Sequence, residues 1–223
     1  MSAPTLAEDL LLLLFQPKSG TIAGENTLFY TLAGAVLADL GLSEHVRTST
    51  GRSGATLVEA VEDNPPTDAV LRSAWDYVLP KPRGVQTVLA AVGPPLRGPL
   101  LDRLIERGEI RQVTKKTLGL FDRKVLEDGG TGRRAHLLDD VRRVLVDGAE
   151  PEPRVAALGA LLSGSGTLPQ FDPDIPWSSA VITRAKELEQ GNWGAGAAAE
   201  AVTRTVTATI INSVITAVPP NPT

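Results

Sequence analysis

Residues 10–15, LLLLLF, stand near the start of the chain directly behind two acids, Glu8 and Asp9. Thr5 and Glu8 have the spacing of a capping box, in which the threonine hydroxyl accepts from a backbone N–H three residues on and the glutamate reaches back. A helix therefore begins at Thr5, and it ends near Gln16, before Pro17 and Gly20. Because the run is apolar all round rather than along one stripe, this helix has to be enclosed by other elements.

Its neighbours are also helical. Hydrophobic residues make up 42% of the chain but aromatics only 4%, so the core is built from Leu, Val, Ala and Ile, which favours packed helices over an aromatic-rich sandwich. Leu28, Leu32, Val36 and Leu40 recur at fourfold spacing in a helix over 27–41, where Ala33, Gly34 and Ala35 make a thin face for a close neighbour. Strands at 46–49 and 56–61 flank a TGRSG loop and predict a small peripheral hairpin. A helix over 68–79 follows Pro65 and Pro66, with Leu71, Trp75 and Val78 on one face. Short helices follow at 85–92 and 96–107, the second ending at Gly108, a left-handed cap position.

Strands at 110–113 and 117–121 predict a second hairpin, turning at 114–116. After the glycine loop 129–132 comes a helix over 134–147, with Leu137, Leu138, Val141, Leu145 and Val146 inward and Arg142 and Arg143 outward. A helix from Pro153 to Leu162, a Gly- and Pro-rich surface connection over 163–176, and helices at 178–190 and 196–217 complete the chain. The expected architecture is mainly α: a single-domain helical bundle spanning residues 1–223, with peripheral amphipathic helices and one or two small β-hairpins.

Charge is divided unevenly. Residues 81–143 hold fourteen Lys and Arg against eight Asp and Glu, a local net of +6, whereas the whole chain is −4 and the remainder therefore −10. The stretch LRGPLLDRLIERGEIRQVTKKTLGLF, residues 96–121, joins an arginine-rich helix to the second hairpin and is a candidate anion-binding surface. Arg97, Arg107, Arg111, Lys115 and Lys116 are its candidate headgroup ligands, with Leu118, Leu120 and Phe121 as apolar anchors. On an anionic leaflet each such cation contributes about 1 kcal/mol. The competing reading is that they are solvated charges interleaved with Asp102, Glu106 and Glu109, in exposed pairs of little energetic value. The apolar hairpin equally suits a contact between copies of the chain.

Other functions have less support. The chain has no cysteine, so disulfides and thiolate metal sites are excluded. Glu8 and Asp9 stand where a signal peptide carries basic residues, and no targeting signal is expected. Residues 197–218 are apolar enough to raise a membrane span, but Arg204, Asn212 and many threonines point to a buried core helix. No Ser elbow, HExxH, Walker or Rossmann pattern accompanies His45 and His136, so neither catalytic residues nor cofactors are assigned. Asp172 and Asp174 lack further oxygen ligands, and no metal is expected. Trp75 reads as core, and Trp177 and Trp193 as loop anchors. The acidic total and the absence of a recognition motif argue against nucleic acid.

Five segments resemble the Golgi phosphoprotein 3 family, whose bacterial members share their order: LAEDLLLLLF, TLAGAVLADLGL, LLDRLIERGEI leading to LGLFDRK, DDVRRVLVDGAEPEPRVAALGALL and ITRAKELEQGNWGAGAAAEAV. The resemblance implies a mostly helical bundle with a projecting apolar hairpin. It also implies a cytoplasmic, peripherally membrane-associated adaptor, since eukaryotic members bind phosphatidylinositol 4-phosphate on Golgi membranes and help retain glycosylation enzymes there. Carried over, the family's pocket Trp falls at Gly24 and its three Arg at Ala33, Pro94 and Arg97, so only Arg97 is kept. A phosphomonoester normally needs several converging donors, which leaves two readings: an adaptor for anionic phospholipid or phosphoinositide headgroups through the basic face, or a soluble oligomeric protein-interaction scaffold that has lost the lipid pocket. Any client protein is unknown.

Overall fold

The computed structural model describes residues 3–52, 54–117, 121–191 and 197–217. Helix α1, Leu6–Leu14, begins at the capping box: Glu8 N donates to Thr5 Oγ1 at 3.2 Å and Thr5 N to Glu8 Oε2 at 2.9 Å. Every residue of α1 is buried, including Glu8 and Asp9, as the all-round apolar run demands. The chain leaves it through a miniature hairpin, β1 Phe15–Gln16 paired with β2 Thr21–Ile22, which the sequence did not signal.

Helix α2, Leu28–Leu42, packs beside α1 and offers its thin face to the last helix, α9, Ala197–Ala217. A Cβ on Gly34 would lie 2.5 Å from Ile210 Cδ1 and 2.9 Å from Val206 Cγ1, and one on Gly41 2.9 Å from Val202 Cβ. The helices approach as closely as they do because both positions are glycine. Val202, Val206 and Ile210 are buried and Arg204 and Asn212 exposed, the pattern of a core helix. No helix among the described residues is long and apolar enough to cross a membrane.

The first hairpin, β3 Val46–Thr50 with β4 Thr56–Ala60, gains an unexpected third strand, β5 Arg83–Gly84. Helix α3, Ala69–Val78, is capped by Asp68, whose carboxylate accepts from Val70 N and Leu71 N, and Trp75 is buried with Nε1 donating to His45 O. Helices α4, Val85–Val92, and α5, Arg97–Glu106, follow as expected. The second hairpin, β6 Ile110–Thr117 with β7 Phe121–Asp128, is longer than predicted: Lys115 pairs with Arg123 and Lys116 with Asp122, so 114–116 is strand and not turn. Helices α6, Arg133–Leu145, α7, Pro153–Gly164, and α8, Ser179–Glu189, enclose the remaining sides of the core. Residues 163–176 are more than a surface connection, since a 3₁₀ turn at Leu168–Phe171 helps bury Leu168, Phe171 and Ile175. The result is a mainly helical bundle with peripheral hairpins whose buried apolar residues form one cluster.

The two acids drawn inside with α1 are neutralised from three other helices. Glu8 accepts from Arg107 Nε at 3.1 Å and Arg103 Nη1 at 3.4 Å, both near the end of α5. Asp9 pairs with Arg133 of α6 and accepts from Arg154 Nη2 of α7 at 2.6 Å. The network extends through Arg103 to Asp68 at 2.8 Å, through Arg133 to Glu109 at 2.7 Å, and through Arg154 to Asp39 of α2 at 3.4 Å. At the other end of α1 the Arg134 guanidinium donates to the carbonyls of Phe15 and Leu13, and burial lowers its pKa. The negative charges sit at the helix N-terminus and the positive one at its C-terminus, as the macrodipole favours.

These contacts generate three expectations. Gly34→Val should destabilise by about 1–3 kcal/mol through overpacking, which urea unfolding measures. Asp9→Asn should cost about 3 kcal/mol, near the low end for a broken buried pair because Arg154 keeps partial solvent contact. Burial raises the Asp39 carboxyl above its ordinary 3.8, against the Leu6 N–H and the Arg154 charge. A carboxyl with a raised pKa in the fold binds more protons folded than unfolded, so its contribution to stability falls as pH rises from about 4 through the folded value. Subtracting the Asp39→Asn unfolding curve across that range should recover a negative slope.

Candidate functional site

Gly108, at φ +72°, ends α5 by letting the chain reverse, with Glu109 N donating to Leu104 O at 2.9 Å. That reversal launches β6. Side chains alternate between the faces of a ribbon, so the observed register sorts the hairpin's charges. One face carries the opposed pairs Arg111 with Glu127, Val113 with Val125, and Lys115 with Arg123. The other carries Gln112 with Leu126 and Thr114 with Lys124. Arg111, Gln112, Thr114, Lys115, Arg123 and Lys124 are all exposed, so this part of the ribbon stands clear on both faces.

The first face holds three cations, Arg111, Lys115 and Arg123, against the single acid Glu127. Lys115 Nζ reaches Glu127 Oε1 at 2.8 Å, and this contact, supported by Arg111, holds the Glu127 carboxyl below its usual range. Lys115 and Arg123 still stand directly opposite one another, an arrangement that weakens a two-stranded ribbon. An anionic partner lying on that face would relieve it. The ribbon's base is anchored: Ile110 is buried, and the turn bearing exposed Lys18 packs close, since a Cβ on Gly20 would fall 2.8 Å from Leu126 O.

The residues singled out from sequence do not all meet. Arg111 and Lys115 share the first face, and the backbone of Lys116 pairs with that of Asp122. Arg97 opens α5 elsewhere, where its Nε meets Glu25 Oε1 at 2.7 Å with both groups about half exposed. Arg107 turns inward to Glu8 with its side chain 15% exposed, so it belongs to the core network and not to an open basic face. Phe121 faces Thr117 in the last registered pair, while Leu118 and Leu120 lie outside the described residues.

The degenerate pocket positions separate as well. Gly24 adjoins Glu25, near Arg97, and Pro94 is exposed in the turn before α5. Ala33 is fully buried in α2 and presents nothing to solvent. Arg97 is thus the one cation among the four positions, and a carboxylate already engages it.

Arg123 escaped the sequence reading because placing the turn at 114–116 cut both strands short. The signal was present in the alternation of Val113 and Lys115, and of Arg123, Val125 and Glu127. The network around Glu8 and Asp9 was missed for a different reason, since its arginines are far apart in the chain. Trp177 is half exposed, and Trp193 lies outside the described residues. Among the described residues no group of three or more His, Asp or Glu could hold a metal ion.

In comparison with curated proteins, no match is found. Against protein families, residues 6–205 match Golgi phosphoprotein 3 (GPP34), a span running from the first residue of α1 into α9. The match covers the buried helix, both hairpins and the arginines that neutralise Glu8 and Asp9, and the chain is a member of the Golgi phosphoprotein 3 family.

Proposed function

We propose that this chain is a peripheral membrane adaptor of the Golgi phosphoprotein 3 type that meets anionic phospholipid headgroups through the basic face of the second hairpin. The observation that carries this reading is the exposed like-charged pair Lys115 and Arg123 beside Arg111, on a ribbon exposed on both faces. At about 1 kcal/mol per cation near an anionic leaflet, three such groups give weak, reversible attachment. Shallow insertion of apolar groups from among Leu118, Leu120 and Phe121, rather than of all three, strengthens it by removing apolar surface from water. Lys116 adds its charge to the same hairpin, and Arg97 adds a contact where a headgroup displaces Glu25.

The reading is a general preference for negative surface and not selection of one phosphoinositide. Gly24, Ala33 and Pro94 bring no donors, and one guanidinium does not discriminate among phosphomonoesters. The attachment site is the cytoplasmic surface of a membrane, and the chain works without a cofactor or covalent chemistry. A soluble oligomeric scaffold, associated through the hairpin, is the second reading; the engagement of Arg97 by Glu25 favours it.

Flotation of the full chain with vesicles of phosphatidylcholine, with and without phosphatidylserine, separates the two. The adaptor floats only with the anionic vesicles, and recovery falls as ionic strength is raised to about 0.5 M, where the screening length is a few ångströms. Lys115→Glu with Arg123→Glu weakens flotation at least about tenfold. Lipid-independent dimers in size-exclusion chromatography, without flotation, would establish the scaffold instead.

A further inference from the structure

Helices α8 and α9 share a support in α7. A Cβ on Gly159 would lie 2.8 Å from Leu188 Cδ1 of α8, and one on Gly164 2.8 Å from Thr207 Cγ2 of α9, so both helices rest closely on the same neighbour. Between them is a cleft of about 310 Å³, lined by Lys186 and Glu189 of α8, by Gln190 at its C-cap, and by Arg204, Ala208 and Ile211 of α9. A Cβ on Gly191 would fall 3.0 Å from Glu200 O and 3.5 Å from Arg204 Cβ, so the chain leaving α8 lies against the root of Arg204 and fixes it beside the end of that helix.

Both cations of the cleft are exposed, and the acids around them are engaged elsewhere or too far away. Glu187 pairs with Arg184 at 2.9 Å, and Glu189 accepts at Oε1 from Ser163 Oγ of α7 at 2.6 Å. Among the described residues neither Lys186 nor Arg204 has a carboxylate within salt-bridge distance, Glu200 one turn ahead of Arg204 included. Two cations and one carboxylate leave a single positive charge in excess in the cleft. That excess matches a singly charged head, whereas a phosphomonoester, at about −2, meets repulsion from Glu189. Ala208 and Ile211 offer the rest of the ligand an apolar surface, and the volume falls at the small end of the range for ligand sites.

We propose that the cleft between α8 and α9 binds a small organic monocarboxylate, with its head between Lys186 and Arg204 and its apolar body on Ala208 and Ile211. The site is built from α8 and α9 and is independent of membrane attachment through the hairpin.

Calorimetric titration of the full chain with sodium benzoate tests this, with benzyl alcohol, benzylamine and phenyl phosphate as neutral, cationic and doubly charged comparators at one ionic strength. Benzoate should saturate a single site at least about tenfold more tightly than benzyl alcohol, the gain of a charge-assisted contact. Benzylamine should bind most weakly, and phenyl phosphate less tightly than benzoate. Arg204→Gln and Lys186→Gln should each remove most of the preference for benzoate while leaving flotation on anionic vesicles unaltered. Glu189→Gln, which keeps an acceptor for Ser163, should tighten benzoate about threefold by removing a like charge. Ala208→Phe should cover the apolar surface and abolish binding with thermal unfolding unchanged; Ala208→Leu gives the same reading if the first variant folds poorly. Absence of saturable benzoate binding, equal affinity for benzoate and benzyl alcohol, or weaker binding by Glu189→Gln would each overturn the proposal. So would loss of flotation in Arg204→Gln, which would assign these cations to a lipid headgroup.

Discussion

Enclosure of α1 is the constraint from which the rest of the molecule follows. A helix with no polar side must be packed all round, and each fully buried leucine contributes about 1.5–3 kcal/mol to that end. The same enclosure carries Glu8 and Asp9 out of water at one end, where an unpaired carboxylate would be intolerable. Four arginines, from α5 and its C-cap, α6 and α7, answer that demand, and three of them also reach a further acid: Arg103 reaches Asp68, Arg133 reaches Glu109 and Arg154 reaches Asp39, while Arg107 completes the shell of Glu8. Such pairs add little net stability against apolar substitutes of the same shape, but they are costly to break. Their effect is to fix which helices stand at the N-terminus of α1.

How much of this was legible from the sequence depends on the distance over which the deciding interaction acts. The capping box at Thr5, the fourfold repeat of α2, the Gly108 reversal and the Trp75 face are local patterns, and each is found where its spacing places it. The thin face at Gly34 announced a close neighbour but not that α9 would fill it, because nothing local links residues so far apart. β5 has the same character: two residues, Arg83–Gly84, carry no strand pattern and pair only because β4 presents a free edge. The second hairpin was misjudged by its length. Lysines at 115 and 116 look like turn residues until the register sets Lys115 against Arg123.

The candidate site shows this limit most clearly. Local net charge cannot distinguish a cation held inside from one offered outside, and the arginines of residues 81–143 divide between the two. Arg103, Arg107 and Arg133 complement α1, and Arg134 caps its carbonyls. Arg111 and Arg123 remain on the ribbon. An excess of +6 over this stretch is therefore partly a structural countercharge to acids that lie elsewhere in the sequence, at Glu8, Asp9 and Asp68. The basic surface that survives is smaller than the composition suggested, and it is also more sharply placed.

That division bears on the proposed attachment, given that Gly24, Ala33 and Pro94 carry no donor groups. A pocket gains selectivity by converging several donors on one phosphate, and it requires them at fixed positions. A ribbon carrying Arg111, Lys115 and Arg123 in register needs only a negative plane, and the cations need not converge. Gly24, Ala33 and Pro94 offer no donors for the first mode and bear on the proposed second mode not at all, since they lie on α2 and in the loops before α2 and α5 rather than on β6 or β7. In the proposed mode, attachment and headgroup selection are separable: the network around α1 positions the end of α5, Gly108 reverses the chain there, and the ribbon that follows is free to vary its charge without disturbing the buried helix.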